Sequence, residues 1–230
     1  MDNPWQKINT KNKPYILDCD QKTINEYNER PNRNNNHKIR LDNLPTPYAG
    51  DFNNAKILLL QKNPGSEIFP GLEPTENYEF MVYKNLKNDI LKSLEHKKIE
   101  FPFYWLNPEY ILTGGFRYWT RIFSSIIKEK NDYKKIANKV CCVQYFPYHS
   151  RKYNSINCIL KSQKYSFNLV RNFIKKSNRI IVLMRAKREW LKVVPELKNY
   201  ATLKSKINPV LTKNNFEKKE DYELFLKYLN

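Results

Sequence analysis

Gln61, Lys62 and Asn63 follow the unbroken apolar run 57–60 and are stopped by Pro64-Gly65. A buried strand that ends in two carboxamides and a lysine on a stiff turn places polar groups where parallel sheets bind ligands, beyond the carboxyl ends of the strands. A side-chain amide is no strong base, but it can orient a water molecule. Two further strand ends carry such groups. One gives Gln144 and then "YFPYHS" at 145–150; the other runs into "KINPVLTKNNF" at 206–216, with Asn208 ahead of Pro209. These three segments are expected at one edge of a sheet. The chain holds no Walker phosphate loop, no GxGxxG, no zinc-ligand spacing and no Ser-His-Asp order, so phosphoryl transfer and dehydrogenase chemistry lose support.

Alternating apolar runs and helical periods must position these groups. Strands are expected at 56–60, 139–146, 179–184 and, weakly, 200–205. Tyr78, Val82, Leu86, Ile90 and Leu94 recur at steps of four, which predicts a helix with one apolar stripe. Further helices are expected at 116–130, entered through Gly114-Gly115, and at 165–176, 186–194 and 221–229. Buried strands separated by helices imply an α/β domain of three α/β/α layers around a mostly parallel four-stranded sheet. Residues 1–44 read as a polar extension, with 28–38 as an exposed loop, and 45–230 as the single domain with an insertion around 70–112.

The 230 residues are 40% hydrophobic and 14% aromatic, a globular composition with no run long enough for a membrane span and no signal-peptide core. A cytoplasmic protein is expected. None of Cys19, Cys141, Cys142 and Cys158 forms a C-x-x-C pair, so they read as core thiols, with neither a metal nor a cofactor implied. Forty-one basic against 23 acidic residues give a net charge of +18, and residues 161–230 alone hold 17 basic and 6 acidic side chains. Such a field attracts a polyanion, because each neutralised phosphate releases counterions. DNA is the expected partner.

In order and character these segments resemble the uracil-DNA glycosylase superfamily. Its first motif, G-x-D/N-P-Y/G, follows the first strand, and "QKNPG" at 61–65 is similar to the asparagine version of the mismatch-specific uracil/thymine glycosylases, with Gln61 in place of the leading Gly. "GGFRYWTRIF" at 114–123 is similar to that branch's R-F-W element. "NPVLT" at 208–212 stands where the second motif, H-P-S-P or N-S-S, is expected. The base-reading asparagine at the end of the second strand is replaced by Gln144 or Tyr145, and the cysteines of the iron–sulfur branches are absent. The resemblance spans roughly residues 45–216.

It implies a DNA glycosylase, without metal or cofactor, acting in DNA repair or anti-phage defence on a flipped-out uracil or modified base. Asn63 would orient the attacking water, held by the stiff Pro64 and by Gly65, which allows close backbone approach. Asn208, or else His149, would donate to the leaving base as an oxyanion hole does. Gln144 would pair with the base edge and Phe69 would stack on its face, with Gln61, Tyr145 and Tyr148 around the substrate. Lys62, Arg151, Lys152, Lys206 and Lys213 would contact phosphates. Arg117, Tyr118, Trp119 and Arg121 could stack on unpaired bases, although Phe116, Trp119 and Phe123 also fit a core-facing helix stripe. Two other readings share this composition: a catalytically inactive DNA-binding module of the same fold, and a basic module that binds an acidic protein.

Overall fold

The computed structural model describes residues 2–31, 34–65, 78–205 and 207–230. Five strands form one mixed, mostly parallel sheet: β1 (Tyr48–Ala49), β2 (Ile57–Gln61), β3 (Val140–Gln144), β4 (Ile180–Leu183) and β5 (Ala201–Thr202). Their order is β1-β3-β2-β4-β5, with β2 central and parallel to both neighbours. Every residue of β2, β3 and β4 is buried, the unbroken apolar pattern of strands covered on both faces. The chain crosses from β2 to β3 in one direction and from β3 back past β2 to β4 in the other. Right-handed crossovers running opposite ways put their helices on opposite faces.

Seven helices are described: α1 (Asp18–Asn28), α2 (Tyr78–Leu94), α3 (Gly114–Ile122), α4 (Lys130–Lys139), α5 (Gln163–Ile174), α6 (Lys187–Val193) and α7 (Lys219–Leu229). Helix α4 packs against β3 and α7, and α7 against β2 and β4. Phe167 of α5 meets Trp190 of α6 edge-on at 5.7 Å. No helix among the described residues is long and apolar enough to cross a membrane.

Four expectations require correction. The sheet has a fifth strand: β1 runs antiparallel to β3, pairing Tyr48 with Val143 and Ala49 with Cys142. Two residues between Pro47 and Gly50 are too short to show a period. Gly50 turns the chain away at φ 103°, where an added Cβ would lie 2.6 Å from the Cys141 Cα.

The single helix expected at 116–130 is two elements. The Thr113 hydroxyl caps α3 by accepting from the Phe116 N–H, and the helix stops at Ile122. Helix α4 starts afresh where the Asp132 carboxylate accepts from the backbone N–H groups of Lys128 and Glu129. Ile126 and Ile127 pack against the core from the connection, so apolarity continues where the helix does not.

Residues 1–44 are no extension. Trp5, Leu17, Ile24, Tyr27 and Ile39 are buried in the same core as the sheet. The buried Asp20 carboxylate accepts from the Tyr148 hydroxyl at 2.9 Å and from the Ser162 N–H at 3.3 Å, which ties α1 to the segments after β3. Of the four thiols, Cys141 and Cys142 lie in the core as expected, whereas Cys19 and Cys158 are exposed.

Candidate functional site

A cavity of about 770 Å³ opens over the carboxyl ends of β3, β2 and β4. Strand geometry explains its floor. Gln61 and Gln144 are register partners on adjacent parallel strands, so their side chains leave the same face of the sheet side by side. The Gln61 amide donates to the Met184 sulfur at 3.4 Å. Its side chain also hydrogen-bonds the Tyr118 hydroxyl, whose ionisation burial disfavours and the nearby Arg185 charge favours, with a net upward shift. Gln144 is only 9% exposed, and its Oε1 is buried without a hydrogen-bond partner among the described residues. Such an orphaned acceptor costs about 1–3 kcal/mol unless a ligand donates to it.

The turn after β2 forms one wall. Asn63 Nδ2 donates to the Pro64 carbonyl at 2.8 Å and to Ser150 Oγ at 3.0 Å, which leaves Oδ1 as the acceptor end of the carboxamide. His149 Nδ1 donates to the Gly65 carbonyl at 2.6 Å, so the ring's other nitrogen accepts from the Thr46 hydroxyl, 3.3 Å away. Burial pushes the His149 pKa down, against the opposing pull of hydrogen bonds to the Gly65 and Leu44 backbone. No protein atom lies within 4 Å of a Cβ built on Gly65, so nothing in the described chain requires glycine there.

The opposite wall comes from α2, α3 and Trp105. A Cβ on Gly115 would meet the Trp105 ring at 2.2 Å, so this glycine lets the indole lie on the first turn of α3 beside the cavity. Among the described residues, Lys13, Lys62, Lys87, Arg151, Lys152 and Arg185 line the cavity against a single carboxylate, Asp42. Asp42 is held at 2.6 Å by Arg40, whose guanidinium lowers its pKa. The Lys62 ammonium rests over the Tyr153 ring, 4.9 Å from its centroid.

Nine of the residues expected from sequence line this cavity: Gln61, Lys62, Asn63, Pro64, Gly65, Gln144, His149, Arg151 and Lys152. Four do not. Asn208 is exposed beyond β5 at the sheet edge; its N–H donates to Ser205 Oγ and its carbonyl accepts from Asn215. Lys213 pairs with Glu223 at 3.0 Å on the surface. Tyr145 packs between Phe167 and Trp190, and Tyr148 is buried against Asp20. Phe69 and Lys206 lie outside the described residues.

Comparison with protein-family models, curated proteins and solved structures finds no match to the chain.

Sequence reasoning passed over Ser150, Trp105 and Arg185, and weighed Tyr118 only for stacking from a helix face. Ser150 sat in plain view beside His149; the others lie far from the turn in sequence and carry no motif. Trp119, the core residue of its helix at 3% exposure, reaches the cavity wall as well. Among the described residues, no group of three or more His, Cys, Asp or Glu is placed to hold a metal ion.

Proposed function

We propose that the cavity receives a base extruded from DNA and that the chain hydrolyses its N-glycosidic bond, the base being uracil or a modified base. One observation carries this reading: a single cation-lined cavity holds both Asn63, with its carboxamide oriented by two donor bonds, and Gln144, with a buried oxygen that has no donor among the described residues. The similarity of residues 61–65 to the first glycosylase motif supports it.

As the C1′–N bond breaks, positive charge develops on the sugar and negative charge on the base. Asn63 Oδ1 accepts from a water on the far face of the sugar, and the water oxygen bonds to C1′. The water's proton passes to solvent, and the released base takes one up. Gln144 Oε1 accepts from an N–H on the base edge. The leaving-base donors come from the cavity floor, where Arg185 and Tyr118 lie, because Asn208 is remote and both His149 nitrogens are engaged. Trp105 and Tyr118 supply aromatic surface in the place proposed for Phe69.

Incubation with uracil-containing and naturally modified phage DNA, followed by alkali cleavage and mass spectrometry of released bases, tests the reading. Wild type is expected to release a free base. Asn63→Ala should release it at least ~100-fold more slowly with DNA affinity unchanged. Release at the wild-type rate by Asn63→Ala would overturn the role given to this carboxamide.

The bond from Asn63 to the Pro64 carbonyl favours a second reading, in which the asparagine only locks its turn and the chain binds DNA without chemistry. Tight DNA binding with no base released from any substrate would select it. Absence of DNA binding at low ionic strength would instead leave the acidic-protein partner.

A further inference from the structure

The dipeptide His149-Ser150 grips all three residues of the turn Asn63-Pro64-Gly65. His149 Nδ1–H donates to the Gly65 carbonyl at 2.6 Å, the Ser150 N–H to the Pro64 carbonyl at 3.4 Å, and Asn63 Nδ2 to the Ser150 hydroxyl at 3.0 Å. Gly65 and Ser150 also form an isolated parallel bridge. The β2–β3 pairing therefore resumes beyond the strand ends, after the bonds from Tyr145 N–H to the Gln61 carbonyl and from Phe146 N–H to the Lys62 carbonyl. The first two grips act on backbone and would hold any residue at position 63. The third acts on the side chain alone.

We infer that Ser150 is a positioning residue, whose hydroxyl, together with the Pro64 carbonyl that can only accept and so selects Nδ2, fixes the rotation of the Asn63 carboxamide and directs Oδ1 at the place of the attacking water. This rests on the glycosylase reading for its consequence in rate, but not for the contact. An asparagine carboxamide presents a donor or an acceptor according to its rotation about χ2, a broad and nearly two-fold torsion. The Pro64 carbonyl takes one N–H of Nδ2, and an acceptor hydroxyl takes the other. With both satisfied, the opposite rotamer would turn Oδ1 against the Pro64 carbonyl oxygen, an acceptor facing an acceptor. Ser150 is 1% exposed, so in the folded chain its own oxygen and not a solvent molecule accepts this N–H. A side chain that only filled space would have no reason to carry a hydroxyl aimed at this amide.

The test uses the full chain with Ser150→Ala, and with Ser150→Cys as a volume-conserving second variant whose sulfur is a weaker acceptor. In ¹⁵N-edited NMR spectra, one of the two Asn63 amide protons should move upfield and lose exchange protection in Ser150→Ala, with an intermediate shift in Ser150→Cys. On a DNA that wild type cleaves, Ser150→Ala should lower kcat about 10- to 100-fold with KM within about twofold. Added to Asn63→Ala, it should lower the rate no further. Unmoved Asn63 amide resonances overturn the inference whether or not any base is released. Additive rate losses in the double variant overturn it too, because a general structural role would act without Asn63. If wild type releases no base while the amide resonances shift as expected, the glycosylase reading fails and the orienting contact stands.

Discussion

Gln144 stands where folding and binding want opposite things. Its oxygen is buried beside Gln61 and has no donor among the described residues, a penalty that an apolar side chain of similar shape would remove. Gln144→Met is therefore expected to raise Tm by a few degrees in a thermal melt, since about 1 kcal/mol shifts a chain of this size by about 2–4 °C. The same variant should lose base release, because the acceptor proposed for the N–H of the base edge is gone. A drop in Tm would mean that the oxygen has a partner in the folded protein. His149 makes a second prediction at this scale. Burial depresses its pKa, so the folded state prefers the neutral ring, which donates to Gly65 and accepts from Thr46. Stability from this group is full above the ordinary histidine value of about 6.5 and is lost as pH falls below it, where the unfolded chain takes up the proton first. Denaturant midpoints should fall between about pH 7 and pH 5, and His149→Gln should flatten that slope. The carboxyl of Asp42, which Arg40 holds low, acts only in the more acid window below about 4.

At the scale of elements, the wall opposite Asn63 depends on one missing side chain. Helix α3 begins with Gly114-Gly115 beneath the Trp105 indole, and any Cβ at Gly115 would overlap that ring. Gly115→Ala should cost about 1–3 kcal/mol by overpacking, read from chemical denaturation. A changed Trp fluorescence spectrum and weaker DNA binding should accompany the loss, because the ring that moves also lines the cavity. The turn after β2 has the opposite character. Its backbone and side chain are held from outside by His149-Ser150, so its geometry is a property of two strands and not of the Asn-Pro-Gly sequence alone.

At the scale of the whole molecule, one core unites the described segments, those among the first 44 residues included. The charge is distributed in a way that its sequence density does not reveal. Residues 161–230 hold the largest excess, yet among the described residues only Arg185 of the six cavity cations comes from them. DNA affinity is expected to fall steeply with salt, log K decreasing linearly with log salt concentration. Arg151→Glu and Lys152→Glu, both exposed beside the cavity, should each reduce that slope by about one ion, whereas Lys213→Glu, on the surface beyond it, should leave it nearly unchanged. Equal effects at all three positions, measured by fluorescence anisotropy, would place the DNA elsewhere.

The amino-acid sequence by itself determined the central strands β2, β3 and β4, whose apolar runs admit no exposed face, and the helices α2, α5, α6 and α7 with their 3.6-residue stripes. It also determined the turn 61–65, Gln144 and the basic pair 151–152, since Gln61 and Gln144 end two of those strands and the others come soon after them in sequence. Strand order, however, is a tertiary property. Neighbouring strands sit about 4.8 Å apart, so β5, two places from β2, carries Asn208 away from the cavity, while β4, adjacent to β2, brings Arg185 into it. Ser150 met Asn63, Trp105 met Gly115 and Asp20 met Tyr148 only on folding, across separations that no local period or motif encodes.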